Sequence, residues 1–170
     1  MLPSDITIRQ AKPIDFPEIA EMHYPVWQQS WVGLLPTFLL NVLGSPKSWV
    51  AKAYPQSLSP EGWSMWIAEA GGRPLGMTIF GPDPADPDQL QIDALYIAQQ
   101  SQRHGIGRRL LEQALSLHPS GDAVLWCAER NVAGRRFYEK RNFHLDGRTL
   151  DWEPAPGIIV PHVGYRLRRP

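Results

Sequence analysis

The sequence holds a single cysteine, Cys127, so no disulfide can close within the chain. That fits a reducing compartment, and a cytoplasmic protein is expected. An excess of charge of either sign is also missing: Lys and Arg total 17, Asp and Glu total 17, and the formal net charge is zero. A nucleic-acid partner recognised through a basic face is therefore not expected. The local group Arg166, Arg168 and Arg169 reads as a solvated tail. No apolar stretch approaches the ~20 residues of a membrane span. Met1 to Asp5 lacks a charged segment leading into an apolar run, so neither a membrane partner nor a signal peptide is expected. The histidines are not spaced as metal ligands, and no metal is expected. What is abundant is proline and tryptophan, 17 and 7 residues. The prolines punctuate loops, and the tryptophans crowd the first half, where they could wall a pocket. With 43% hydrophobic and 20% charged residues in 170 positions, the chain can build a core, and one domain spanning residues 1–170 is expected.

Ile6 to Gln10 alternates as a strand should. Asp15 followed by Glu18 resembles a capping box, with Ile14 and Ile19 placed as a hydrophobic staple, so a helix is expected there, interrupted or kinked at Pro25. Thr37 to Leu43 reads as a short helix ended by Gly44, and residues 45–62 as a loop. Trp63 to Ala70 and Leu75 to Phe80 are strand-like around Gly71-Gly72, a hairpin signal. The proline-rich stretch Gly81 to Asp88 reads as an exposed loop. Leu90 to Ile97 is a strand. Ile106, Leu110, Leu111, Ala114, Leu115 and Leu117 form a helical stripe. Ala123 to Ala128 is a continuous apolar run, as in a strand covered on both faces. A helix is expected over residues 131–141 and a last strand over 163–167. The order implies an α/β domain with one central sheet flanked by helices.

Between the strand ending at Ile97 and the helix opening at Ile106 lies Gln102-Arg103-His104-Gly105-Ile106-Gly107. A helix N-terminus exposes unpaired N–H groups and the positive end of the helix dipole, so it can hold an anion. Gly105 and Gly107 would let a phosphate approach the backbone closely. Arg103, Arg108 and Arg109 add charge at the same spot. No Lys-Ser/Thr follows, as a Walker loop requires, and the third glycine of a dinucleotide fingerprint is missing. A tight turn with nothing bound, or another nucleotide loop, stays open on these residues alone.

The hexapeptide resembles the Gln/Arg-x-x-Gly-x-Gly/Ala motif of the GCN5-related N-acetyltransferases, the GNAT family. Asp93 to Ile97 is similar to that family's fourth strand, and Asn131 to Phe143 to its Asn-x-x-Ala-x-x-Phe-Tyr-Glu-x-x-Gly-Phe segment. Asn142 stands where the family has glycine, and the alanine, Ala133, comes one place early. Trp31, Gly33, Leu34, Leu35 and Pro36 resemble a Trp/Tyr-x-Gly-Leu-Leu-Pro stretch of small members. The resemblance implies a GNAT-like fold, a mostly antiparallel mixed sheet with helices on both faces, and acetyl transfer from acetyl-CoA to an amine on a small molecule or peptide. A larger acyl group, or a binding module without turnover, is the alternative. A homodimer is left open.

The resemblance further implies that Leu95, Tyr96 and Ile97 pair through their backbone with the pantetheine arm, and that Gln102, Arg103, His104, Gly105, Ile106, Gly107 and Arg108 hold the pyrophosphate. Asn131 caps its helix, reaches the cofactor, or both. Tyr138 is implied as the acid that protonates the departing thiolate; the other reading is a core aromatic beside Phe137. Phe137 and Ala133 are expected to form the inward stripe, leaving Tyr138 free. The family's glutamate base is replaced by Gln91, which cannot take a proton. Asp93, two residues on and on the same strand face, is the candidate base, or else orients a cationic substrate. Tyr24, Trp27, Trp31 and Trp66 are candidate walls of an acceptor pocket, with Glu21, His23 and His162 as polar contacts. Cys127 reads as a small core residue.

Overall fold

The computed structural model describes residues 5–170; Met1 to Ser4, part of the N-terminal expectation, lie outside them. β1 (Thr7–Gln10), β2 (Ser64–Ala70), β3 (Arg73–Asp83), β4 (Asp86–Ile97), β5 (Ala123–Ala128), β6 (His144–Ala155) and β7 (Ile158–Leu167) form one seven-stranded sheet in the order β1-β2-β3-β4-β5-β7-β6. Every pairing is antiparallel except β4 with β5. The mixed, mostly antiparallel sheet expected from the family resemblance is therefore the one observed.

Helices cover both faces. On one side lie α1 (Phe16–Trp31) and the short helical segment α3 (Pro46–Ser48), a π-turn Trp49–Ala53 and α4 (Tyr54–Ser57). Phe16, Ile19 and Ala20 pack with Trp49, Tyr54, Met65, Ile67, Met77 and Ile79. α2 (Thr37–Leu43) adds Leu39 and Leu40 against Ala128 and Val160. On the other side α5 (Ile106–Leu117) buries Ile106, Leu110, Leu111 and Ala114, and α6 (Val132–Glu139) packs Phe137 and Tyr138 beside Phe143 and Tyr165.

Five local expectations change. Residues 45–62 are largely helical, because Trp49 and Tyr54 need burying and turns this short show no apolar period. The stretch 81–88 is a tight hairpin: β3 continues through Pro82 to Asp83, at a register shift where proline's missing N–H is tolerated. β6 was not expected; it is an exposed edge strand with Pro154 inside it and no alternation of apolar residues. The capping box forms one turn early, at Lys12. The Asp15 carboxylate accepts from Lys12 N–H (2.7 Å) and from Arg9, so Ile14 stays 85% exposed and makes no staple. Pro25 leaves α1 continuous, because it lies on the exposed side of the helix, where the carbonyl that loses its donor can meet water.

The arginine tail is also anchored rather than merely solvated: Arg166 donates to Asp122 (3.0 Å), and Arg169 donates to the carbonyls of Gly121 and Leu115. No helix among the described residues is long and apolar enough to cross a membrane.

Candidate functional site

The site begins with an irregularity in β4. Ile79 pairs with Ala94, but Phe80 pairs with Ile92, so Asp93 is an extra residue, a β-bulge. Its effect is to shift the alternation. Ile92 faces α5, and so do Leu95 and Ile97, while Ala94 and Tyr96 turn to the α1 side. The bulge has a second effect. β4 and β5 pair only from Leu90 to Ile92, opposite Ala123 to Leu125. Beyond that point the strands part, and the β4 segment Leu95–Ile97 has no ladder partner on the β5 side. A notch is left between two parallel strands near the middle of the sheet.

The loop of interest follows that notch. Gln102, Arg103, His104 and Gly105 are exposed, and Ile106 and Gly107 are buried at the start of α5. The two glycines serve different ends. Gly105 is the N-cap at φ 80°, a left-handed conformation that a side chain resists, yet an added Cβ would meet nothing within 4 Å. Gly107 has ordinary helical backbone, but its Cβ would lie 3.1 Å from the Phe137 ring. Glycine at this position lets α6 approach α5 closely. Arg103 is also left-handed, at φ 64°. Gln102 donates from Nε2 to the Ile97 carbonyl (3.1 Å), tying the loop to the end of β4. Arg108 reaches Glu112 at 3.6 Å, and Arg109 donates to the Ile6 carbonyl (3.0 Å), toward β1.

Asn131 caps α6, its Oδ1 accepting from Gly134 N–H at 3.0 Å. Gly134, where the family has alanine, leaves room for this: a Cβ there would lie 2.7 Å from the Asn131 amide. Asn142 takes the left-handed conformation, φ 63°, that its place in the motif implied. Ala133 and Phe137 do not form one inward stripe. Ala133 is exposed, and Phe137 and Tyr138 together pack on the core, their rings edge to face at 5.1 Å. Arg141 lies over Phe137, 3.7 Å from its centroid.

Tyr138 packs with the α5-side core and Tyr96 with the α1-side core, so the two lie on opposite faces of the sheet. Burial holds the Tyr138 phenol above its ordinary value, with Cys127 and Tyr96 adding to the effect. Burial also raises Tyr96, against the pull of the adjacent Trp31 side chain. The Cys127 thiol is pushed up to about 11 by burial and stays a thiol, consistent with its core packing. Asp93 is exposed to solvent at the bulge. Desolvation raises its pKa, and hydrogen bonding from Gln91 opposes that more weakly. Gln91 and Asp93 line one pocket of about 860 Å³, as their shared face implied.

The candidate acceptor walls separate. Trp31 stands in an aromatic cluster, 5.3 Å from Trp152 and 6.1 Å from His162. Trp27 packs edge-on to Trp49 and fills the space above Gly44, while the Tyr24 hydroxyl accepts from Gln28 (2.8 Å); both serve the α1 core. Trp66 is misplaced among them. It faces the α5 side, since Met65 and Ile67 on either side of it face α1. Glu21 is exposed. His23 is buried between Tyr96 and Trp49, with Nδ1 3.0 Å from the Tyr54 hydroxyl, and burial lowers its pKa to about 3, so it is neutral. Among the described residues no group of three or more His, Cys, Asp or Glu side chains is placed to hold a metal ion. Trp63, read only as the start of a strand, and Asp83, in the stretch 81–88 read as loop, line the pocket beside Asp93 without having been singled out in the sequence.

Residues 22–143 match the Acetyltransferase (GNAT) family. Over 169 residues the chain is 66% identical to the probable N-acetyltransferase Rv2775 of Mycobacterium tuberculosis, covering 99% of this chain and 97% of that protein. It is 28% identical over 132 residues to the uncharacterized N-acetyltransferase YuaI of Bacillus subtilis, covering 74% and 73%. The crystal structure of PaiA N-acetyltransferase from Thermoplasma acidophilum in complex with coenzyme A shares the fold at a TM-score of 0.72 and 17% identity, covering 94% of this chain and 98% of that one.

Proposed function

Because the chain belongs to the GNAT acetyltransferase family, we propose that it moves an acetyl group from acetyl-CoA directly to an amine, with the reaction centred on the notch between β4 and β5. The observation that carries this reading is the parting of those strands beside the α5 N-terminus. The amide-bearing pantetheine arm can add to the free edge of Leu95, Tyr96 and Ile97 as an extra strand would. The exposed loop 102–105 and the first amides of α5 then face the pyrophosphate, with Arg103 and Arg108 adding charge. That places the thioester between Tyr138 and the pocket containing Asp93.

The acceptor must first lose its ammonium proton, and Asp93, directly or through water, takes it. The amine nitrogen attacks the thioester carbon, forming the C–N bond, and an amide of β4 near Tyr96 supports the oxyanion. As the intermediate collapses the C–S bond breaks and its electron pair goes to sulfur. Burial makes Tyr138 a weaker acid than a free phenol, so at neutral pH it is a hydrogen-bond donor. It steadies charge on sulfur and passes its proton as the bond breaks. After attack the nitrogen is cationic and gives its second proton to solvent, from which Tyr138 is reprotonated, so the products are the N-acetyl amine, free coenzyme A and the one proton taken by Asp93.

Acetyl-CoA at about a hundred times its Kd should stabilise the protein by roughly 2.7 kcal/mol, which for this size raises Tm by about 5–10 °C. Thiol release across a panel of amines is the second measurement. A shift with a nucleotide and none with acetyl-CoA sinks the proposal. A shift with acetyl-CoA and no thiol release from any amine leaves a coenzyme A binding module.

A further inference from the structure

The pocket that holds Asp93 continues away from the notch, between the α4 end of the helical segment and the β3–β4 turn. Its volume, about 860 Å³, far exceeds what one amino group needs. Its polar lining is one-sided: Glu61, Asp83 and Asp93 are present, and no lysine, arginine or histidine is. Asp83 is the unusual member. It is only 6% exposed, and its carboxylate accepts one hydrogen bond, Oδ1 from Ala85 N–H at 3.2 Å. No cation lies within ion-pair distance of it among the described residues. A buried carboxylate is normally paired, because desolvating it alone is costly. Asp83 has no cationic partner among the described residues and lines the open pocket.

The remaining walls suit a cation with an aliphatic body. The Trp63 ring rests on Gly81, in space a side chain would need, which fixes the indole in the pocket wall. An indole face attracts ammonium groups. Pro60, Pro82, Pro84 and Pro87 give apolar surface that does not rearrange. From the bulge at Asp93, which lies beside Ile79 and Phe80, to Asp83 is three to four residues along β3, roughly 10 Å at ~3.3 Å per residue. Two amino groups on one extended chain span such a distance.

We infer that the acceptor is a polyamine-like cation, with its reacting amine at Asp93 and a second ammonium held by Asp83 and Glu61. This rests on the transfer reading above and assigns the substrate class of that same site. The base and the holding group are then different carboxylates, so the second charge is recognised without competing for the proton.

The test is calorimetric titration of spermidine, and separately n-butylamine, into the full chain saturated with coenzyme A. Thiol release from acetyl-CoA with the same two amines accompanies it. Spermidine should bind saturably and at least roughly tenfold more tightly than n-butylamine, and Asp83→Asn should remove about that factor. Glu61→Gln, at an exposed position that the fold does not need, should weaken spermidine in the same direction. Binding should also weaken from about 0.1 M to about 1 M salt, as the Debye length falls from about 10 to about 3 Å. Equal binding of the two amines, or spermidine binding indifferent to both substitutions, overturns the inference, even if thiol release with n-butylamine upholds the transferase. Spermidine held through Asp83 with no thiol released also overturns the inference, because a bound cation that is not acetylated is not the acceptor, while the transfer reading then stands or falls on the other amines.

Discussion

Tyr138 packs with the α5-side core and Asp93 lines the pocket beside Trp63, and desolvation pushes both toward their protonated forms. For Tyr138 that is useful, because a donor must keep its proton until the C–S bond breaks. Tyr138→Phe should therefore lower kcat by about 10²-fold while leaving the KM for acetyl-CoA close to wild type, measured by thiol release. For Asp93 the same desolvation works against the charged base. The acid limb of kcat/KM should lie above the ordinary carboxylate value of 3.8 and disappear in Asp93→Asn. Stability has the opposite sign. A carboxylate raised on folding binds its proton more tightly in the native state, so its ionisation opposes folding once pH rises above the unfolded value. Asp93→Asn should thus gain stability over wild type at pH 7 and lose that gain at pH 3, read from urea midpoints. A substitution that stabilises and inactivates together is the mark of a site held at a cost to the fold.

At the scale of elements, the functional geometry depends on how closely α6 lies against α5. Gly107 makes that approach possible, and Gly105 makes the turn before it. The two glycines should respond differently to one substitution. Gly105→Asn keeps a residue that tolerates left-handed backbone and should cost only a few tenths of a kcal/mol. Gly107→Asn drives a side chain into the Phe137 ring and should cost about 1–3 kcal/mol, with a higher KM for acetyl-CoA as Tyr138 moves. Denaturant titration and saturation kinetics on both variants check this.

The entry to α1 makes a separate prediction. Arg9 holds Asp15 at 2.8 Å and Glu69 at 2.8 Å, joining β1, the turn before α1 and β2. The Arg9 hydrogen bond, more than any other contact, lowers the Asp15 pKa to about 2. Its contribution is complete above 3.8 and is lost as pH falls toward 2. Arg9→Met should cost about 1 kcal/mol at pH 7, and the cost should shrink steadily below pH 4 in thermal melts.

For the molecule as a whole, the limits of legibility follow from the range of the interactions. Helices α5 and α6 and strands β4 and β5 could be read because each writes its burial into a local period or run. Asn131 and Asn142 could be read as caps because capping is settled within a few residues. β6 could not, since its covered face carries Asp146 and Arg148 as well as Trp152 and so shows no sustained apolar alternation. Trp66 was grouped with Trp31 although the two face opposite sides of the sheet, because a residue type does not report its face. The pocket beside Asp93 was hidden for a related reason: its walls come from segments that read as loop, brought together only by the β3–β4 pairing and the burial of Trp49 and Tyr54.

By itself the sequence determined the family, the order of the main elements and the glycine-bearing loop 102–107 that opens α5, all of which rest on neighbours along the chain. The tertiary structure alone decided where β4 and β5 part, which glycine serves the loop and which the helix contact, and which carboxylates share a pocket. The first and last of these involve a one-residue bulge at Asp93 and the second the packing of α6 on α5, and both are set by partners distant in sequence, which no local pattern records.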